Sequence, residues 1–207
     1  KLKFFLENGA TEVAILLDDI PDFFLNSKIE NKSEGELHAN LVNKISKILK
    51  TNIYLVPRIY ANELIHEAPK YLEDLLNNLN KYTKIIFCGS DVVSEKIELS
   101  QFDYFTKNGF NEVMIWDNYY ANDYCPRRIF VGPWYGRENI ESFLINPTGM
   151  IETDLLILDI IYYSLKSKNP YLSWEKALEL NKIPKQFYSI SRYFNSPHFN
   201  SKKIKFN

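Results

Sequence analysis

Glycine, cysteine and histidine are scarce in this chain, and positive charge is not in surplus. Seven glycines in 207 residues exclude collagen-like and linker-like chains and disfavour glycine-rich loops. Two cysteines, Cys88 and Cys125, cannot build a disulfide framework; they fit a reducing compartment or indifference to redox. The three histidines, His38, His66 and His198, lack metal-ligand spacing, so each is read as structural or solvent-facing. Lys and Arg number 25 against 26 Asp and Glu. The basic excess of a phosphate-backbone binder is therefore missing, and nucleic acid is not an expected partner. No apolar run approaches the ~20 residues that cross a bilayer, so no membrane span is expected. No signal peptide is visible and a cytoplasmic location is favoured, while Lys1 in place of Met points to an N-terminus further upstream.

What is present is a large apolar share, 45% hydrophobic and 15% aromatic, enough for one domain with a sizeable core, alone or with a short appendage. Five short apolar runs stand out, at residues 13–17 (VAILL), 53–56 (IYLV), 85–87 (IIF), 113–115 (VMI) and 129–131 (IFV). Each is apolar on both faces, as in parallel strands buried on both sides. Between them, residues 41–49 and 71–79 repeat apolar positions at helical spacing. Runs starting at 13, 53, 85 and 113 are spaced for βα units, whereas the fifth follows too soon for a crossover helix, so loop is expected there. Residues 26–35 (NSKIENKSEG) read as a flexible surface loop. Residues 154–165 predict a buried helix, broken at Asn169 and Pro170. A further helix over 176–180 has Ser173 as its expected N-cap, and beyond Pro184 the chain is aromatic, basic and loosely helical or irregular.

This βα alternation predicts a doubly wound sheet or a (β/α) barrel. Neither G-x-G-x-x-G nor G-x-x-x-x-G-K-[ST] follows any run, so the phosphate-cradling versions lose support. Polar and aromatic residues follow each run instead: Asp18 and Asp19, Tyr60, Cys88 with Gly89 and Ser90, Trp116 with Asp117 and Asn118, and Gly132 with Pro133. C-terminal strand ends are where such folds build active sites. Two carboxylates held close do not both ionise easily: one keeps its proton as an acid while the other stays charged, the division of labour of glycoside hydrolysis. The bland reading is a capping pair or a divalent-cation site. Residues 116–124 (WDNYYANDY) mix an indole, phenols, amides and carboxylates, the side chains that cover sugar C–H faces and take sugar hydroxyls. An ordinary polar turn is the alternative there.

Residues 17–20 (LDDI), 56–60 (VPRIY), 116–124, 128–133 (RIFVGP) with Gly136 and Arg137, and 145–147 (INP) together resemble the catalytic barrel of glycoside hydrolase family 84, the O-GlcNAcase family. The likeness covers most of residues 11–165, and residues 173–178 (SWEKAL) resemble the start of the helical domain that follows that barrel. It implies a (β/α)8 TIM barrel of which this chain carries strands four to eight, over residues 1–168, with 169–207 starting a helical domain or tail. It implies a retaining β-N-acetylglucosaminidase whose substrate's own acetamido oxygen is the nucleophile, through an oxazoline. Asp18 would orient the acetamido N–H and Asp19 would act as general acid and base. Tyr60 and Asn118 would support the acetamido group, Trp116 would wall the pocket, and Asp123 and Asn146 would hold sugar hydroxyls. Cys88 stands where the family commonly has Thr and would line the acetamido pocket as a small hydrophobe; Val92 and Val93 match the family. Arg128 and Arg137 would have internal structural roles. No metal or other cofactor is implied.

The family's first three βα units, with a Gly and a Lys that also hold the sugar, have no counterpart here, and five strands do not close a barrel. An upstream segment or a second chain is therefore an expected partner, besides an N-acetylglucosamine-bearing protein or glycan. Tail aromatics Phe187, Tyr188, Tyr193 and Phe194 would suit a homodimer. Two rival functions remain: a non-catalytic N-acetylglucosamine-binding relative, and a divalent-metal-dependent α/β enzyme using Asp18 and Asp19 as ligands.

Overall fold

The computed structural model describes residues 1–18, 20, 31–110, 112–140, 142–167 and 169–198. Its contacts divide the chain into two units: residues 1–92 with 99–116, and residues 93–98 with the stretch from Asp117 onward.

The first unit holds helix α1 (Leu2–Glu7), strand β1 (Val13–Leu16), α2 (Glu34–Leu49), β2 (Ile53–Val56), α3 (Tyr71–Asn78), β3 (Lys84–Phe87) and α4 (Asp103–Lys107). Strand β4 (Val113–Asp117) follows, its last residue belonging to the second unit. β1 to β4 pair in parallel with simple register: Val13 opposite Ile53, Tyr54 opposite Lys84, Ile85 opposite Val113. Ile53, Leu55, Ile85 and Phe87 are fully buried, as their two-sided apolar runs predict. β1 departs from that expectation. Val13 and Leu17 are buried but Leu16 is 57% exposed, because β1 ends the sheet order and has no outer neighbour among the described residues.

The expected loop over 26–35 ends sooner than its composition suggested. Residues 26–30 lie outside the described residues, and Ser33 starts α2 with a capping box: its hydroxyl accepts from the Glu36 N–H while the Glu36 carboxylate accepts from the Ser33 N–H. Gly35 is fixed by packing. A Cβ there would lie 2.4 Å from the Tyr71 carbonyl oxygen, so α2 and α3 approach backbone to backbone.

The second unit holds β5 (Phe143–Ile145), α5 (Ile151–Lys166), α6 (Pro170–Leu180) and α7 (Phe187–Ile190). The sheet order is β1-β2-β3-β4-β5, and the Asn146 N–H donates to the Asp117 carbonyl at 3.1 Å. The fifth strand is thus residues 143–145, not 129–131 as their apolar character predicted. The Val131 end of the earlier run and the two residues after it have their backbone polar groups consumed elsewhere. The carbonyls of Val131, Gly132 and Pro133 accept from Trp174 Nε1, the Tyr120 hydroxyl and the Tyr119 hydroxyl. The N–H groups of Val131 and Gly132 donate to Phe194 and Asn195, both at 2.8 Å. Asn169, not Ser173, caps the last long helix: its Oδ1 accepts from the N–H groups of Tyr171 and Leu172, and Pro170 occupies the first helical turn. Ser173 is buried one turn in, its hydroxyl donating to the Asn169 carbonyl.

Candidate active site

In the first unit, four residues with expected chemistry come at the ends of successive parallel strands: Asp18 after β1, Tyr60 after β2, Cys88 after β3 and Trp116 in β4. Hydrogen bonds carry the ladder beyond the strands and bring these ends side by side. The Leu17 N–H donates to the Val56 carbonyl at 3.0 Å and the Cys88 N–H to the Tyr60 carbonyl at 2.7 Å. The Tyr60 and Trp116 rings lie 6.2 Å apart between centroids, tilted by 36°. Both are half-buried, while the Cys88 thiol is buried, in keeping with a small hydrophobe. The Val92 N–H donates to the Glu63 carboxylate at 2.6 Å. Asp19 lies outside the described residues.

Sequence reasoning took Arg58 only as a letter in a motif, yet it centres a buried polar ring. Its Nη1 donates to the Ile20 carbonyl and lies 3.7 Å from the Glu34 carboxylate. Its backbone N–H donates to the Tyr71 hydroxyl at 3.0 Å, which contacts His38 Nδ1 at 2.9 Å. His38 Nε2 closes the ring 3.8 Å from Glu34. Burial, aided by the Arg58 charge, pushes His38 down to about 4. Burial raises the Glu34 carboxyl against the opposing pull of Arg58, and raises the Tyr71 phenol well above its ordinary range.

In the second unit, Arg137 plays a different part. It is 2% exposed and grips Asp117 with two parallel bonds, Nε to Oδ2 at 3.0 Å and Nη2 to Oδ1 at 2.9 Å. Further bonds run to the carbonyls of Ser94, Glu95 and Tyr135, and the guanidinium lies over the Tyr119 ring. Asp117 also accepts from the Tyr119 N–H and from Trp134 Nε1. Within residues 116–124, Asp117 and two of the phenols are therefore internal, since Tyr119 and Tyr120 are each 1% exposed. Arg137 matches its expected internal role. Arg128 does not: it is exposed, with its guanidinium 5.1 Å over Phe130. Of the expected binding residues in this unit, Asn118 is buried, Asn146 half-buried and Asp123 exposed, its Oδ1 accepting from the Tyr124 N–H.

A family model described as beta-N-acetylglucosaminidase matches residues 1–187. Among curated proteins, the chain is similar to protein O-GlcNAcase of Rattus norvegicus and of Mus musculus, 25% identical to each over 171 residues, 77% of this chain and 19% of each relative. Among solved structures it is similar to CpGH84B, with a TM-score of 0.70 and 22% identity over 91% of this chain and 34% of that one. It is likewise similar to a mutant of the Thermobaculum terrenum O-GlcNAc hydrolase, with a TM-score of 0.76 and 22% identity over 94% of this chain and 45% of that one. The chain thus spans 19% of the curated relatives' length and less than half of either solved structure. The shared fold is a partial (β/α) barrel.

Proposed function

The chain belongs to the β-N-acetylglucosaminidase family of glycoside hydrolases, and from that premise we propose that it supplies strands four to eight of a barrel that cleaves terminal β-linked N-acetylglucosamine. The observation that carries this reading is the row of adjacent strand ends bearing Asp18, Tyr60, Cys88 and Trp116, the rings of Tyr60 and Trp116 lying 6.2 Å apart. The substrate's acetamido oxygen attacks its own anomeric carbon as the glycosidic C–O bond breaks. Asp19 gives its proton to the departing oxygen, and Asp18 orients the acetamido N–H. Asp19, now a carboxylate, takes a proton from the water that reopens the oxazoline. Tyr60 and Asn118 support the acetamido group, Cys88 and Val92 line its pocket, Trp116 walls it, and Asp123 and Asn146 take sugar hydroxyls. Residues 1–168 form the barrel part, 169–207 start a helical domain or a tail, and an upstream segment or second chain carrying strands one to three completes the site.

Hydrolysis of an aryl β-N-acetylglucosaminide by the full-length protein, with and without chelator, tests this. Turnover insensitive to chelator is expected, falling by about 10²-fold or more in Asp19→Asn. Asp18→Asn should lose as heavily even with leaving groups that need no proton. Sugar binding without any cleavage would instead establish a recognition module, and loss of turnover on chelation a metal enzyme.

A further inference from the structure

We propose that α5 and β5 form a docking face for a strand–helix unit that precedes Lys1 in the same polypeptide. Its strand adds to the free edge of β5, and its helix seats on a row formed by Ile151, Leu155, Leu158, Tyr162 and Leu165. The inference rests on the reading above, in which strands outside this chain complete the site, and names where they attach. Alternating steps of four and three put the five residues on one side of α5 (Ile151–Lys166). All five lie between 49% and 77% exposed. The opposite side, with Leu156, Ile157, Ile160 and Ile161, is buried in one cluster with Trp174, Ala177 and Leu178 of α6. A helix that is apolar all round belongs in an interior, yet α5 is covered on one side only. By contrast, α2 exposes Asn40, Lys44 and Lys47 beside Leu41 and Ile48, the mixed face of a solvated helix. Single exposed apolar side chains are ordinary; a contiguous row marks an interaction surface.

The sheet indicates what covers that row. Its order, β1-β2-β3-β4-β5, follows the sequence without reversal, the order of a barrel rather than of a doubly wound sheet. β5 ends that order with no outer neighbour among the described residues. None of its three residues is buried, and Leu144 is exposed. Such an edge offers N–H and C=O groups to a further strand. A barrel closes by setting its last strand beside its first, so the chain that joins β5 precedes β1. A parallel strand there carries its crossover helix on the side of the other helices, since the connection is right-handed. That helix meets α5 as α3 meets α2 in the first unit. The described chain downstream is engaged elsewhere: α6 takes the covered side of α5, and Phe194 and Asn195 hold Val131 and Gly132.

Photo-crosslinking in the full-length protein tests the proposal. A benzophenone amino acid replaces Leu158 in one variant and Lys47, on the solvated face of α2, in another; linked peptides are then identified by mass spectrometry. The expected result is a link from position 158 to a peptide preceding Lys1, in a product of monomer mass, with little or none from position 47. Links from 158 to a second copy, to a different polypeptide or only within residues 1–207 would overturn the proposal, as would no link or equal yields at both positions. A second measurement covers the case in which the bulky probe prevents folding. In Leu155→Cys, alkylation of the new thiol should be slower than in urea-unfolded protein by about tenfold or more, at every protein concentration. Equal rates count against docking, and protection that fades on dilution assigns the face to a second copy instead. Neither measurement uses substrate. If the unaltered protein fails to cleave an aryl N-acetylglucosaminide, the proposed activity falls while the docking face is still decided by these results.

Discussion

Arg58 in the first unit and Arg137 in the second are both almost wholly buried, 5% and 2% exposed, yet their partners differ in kind. Arg137 is a fork matched to a fork. Two parallel bonds to Asp117 are reinforced by three carbonyls and an aromatic face, and Asp117 is itself saturated by Tyr119 and Trp134. Arg58 donates to a backbone carbonyl on a different loop and lies 3.7 Å from the Glu34 carboxylate, which His38 also faces. The first arrangement uses a charge pair to lock a core. The second uses a charge to reach across it, leaving groups whose protonation can change.

The largest effect expected from this contrast is on the Arg137 side. Arg137→Met strands the Asp117 carboxylate in the interior and should cost about 3–5 kcal/mol, read from the denaturant midpoint. Arg58→Met removes the bond to the Ile20 carbonyl and the charge beside Glu34, and should cost about 1–3 kcal/mol. Losses larger in Arg58→Met than in Arg137→Met would overturn the contrast between a carboxylate fork and a tie to a carbonyl.

Acid sharpens it further. His38 is held down to about 4 from 6.5, so the unfolded chain binds its proton at a higher pH than the folded one does. Its contribution to stability is complete above 6.5 and is lost as pH falls through about 4, by about 1–3 kcal/mol after allowance for partial exposure. Glu34, raised from 4.5, acts oppositely: its contribution is present below 4.5 and is lost as pH rises through its folded value. Thermal melts of His38→Gln should therefore lose the acid-side decline and reveal the shallower Glu34 trend; an unchanged pH profile would remove His38 from the ring. The smallest change is Trp134→Phe, which deletes one of two donors to Asp117 Oδ2. It should cost about 1 kcal/mol in chemical denaturation.

The parallel strands were legible because β2 and β3 are buried on both faces and leave little besides β-branched and aromatic residues. Residues 129–131 carry the same composition, and composition alone does not reveal that the donors for the carbonyls of 131–133 sit at 174, 120 and 119. Ser33 and Glu36 spell a capping box in plain view; the surrounding Asn, Lys and Gly hid it inside an apparent loop. The placement of Asp18, Tyr60, Cys88 and Trp116 at strand ends could be read because strand ends are countable. Arg58 could not, since an arginine beside a strand usually points to water, and only the fold shows it turned inward. The aromatic cluster at 116–124 gave a mixed signal for a related reason: a phenol that faces a sugar and one that ties a buried carbonyl are the same letter.

The bonds from Val131 and Gly132 to Phe194 and Asn195 have a practical bearing on any attempt to trim this protein. The family match stops at residue 187, which invites shortening there. That cut would remove two acceptors from buried amide groups, each worth about 1–3 kcal/mol when left unmatched. It would also open the space beside Gly132 that Asn195 now fills at 2.2 Å from where a side chain would begin. The last described residues behave as a clasp on the loop that follows β4, and a shortened chain that omits them should be prone to proteolysis between Arg128 and Trp134.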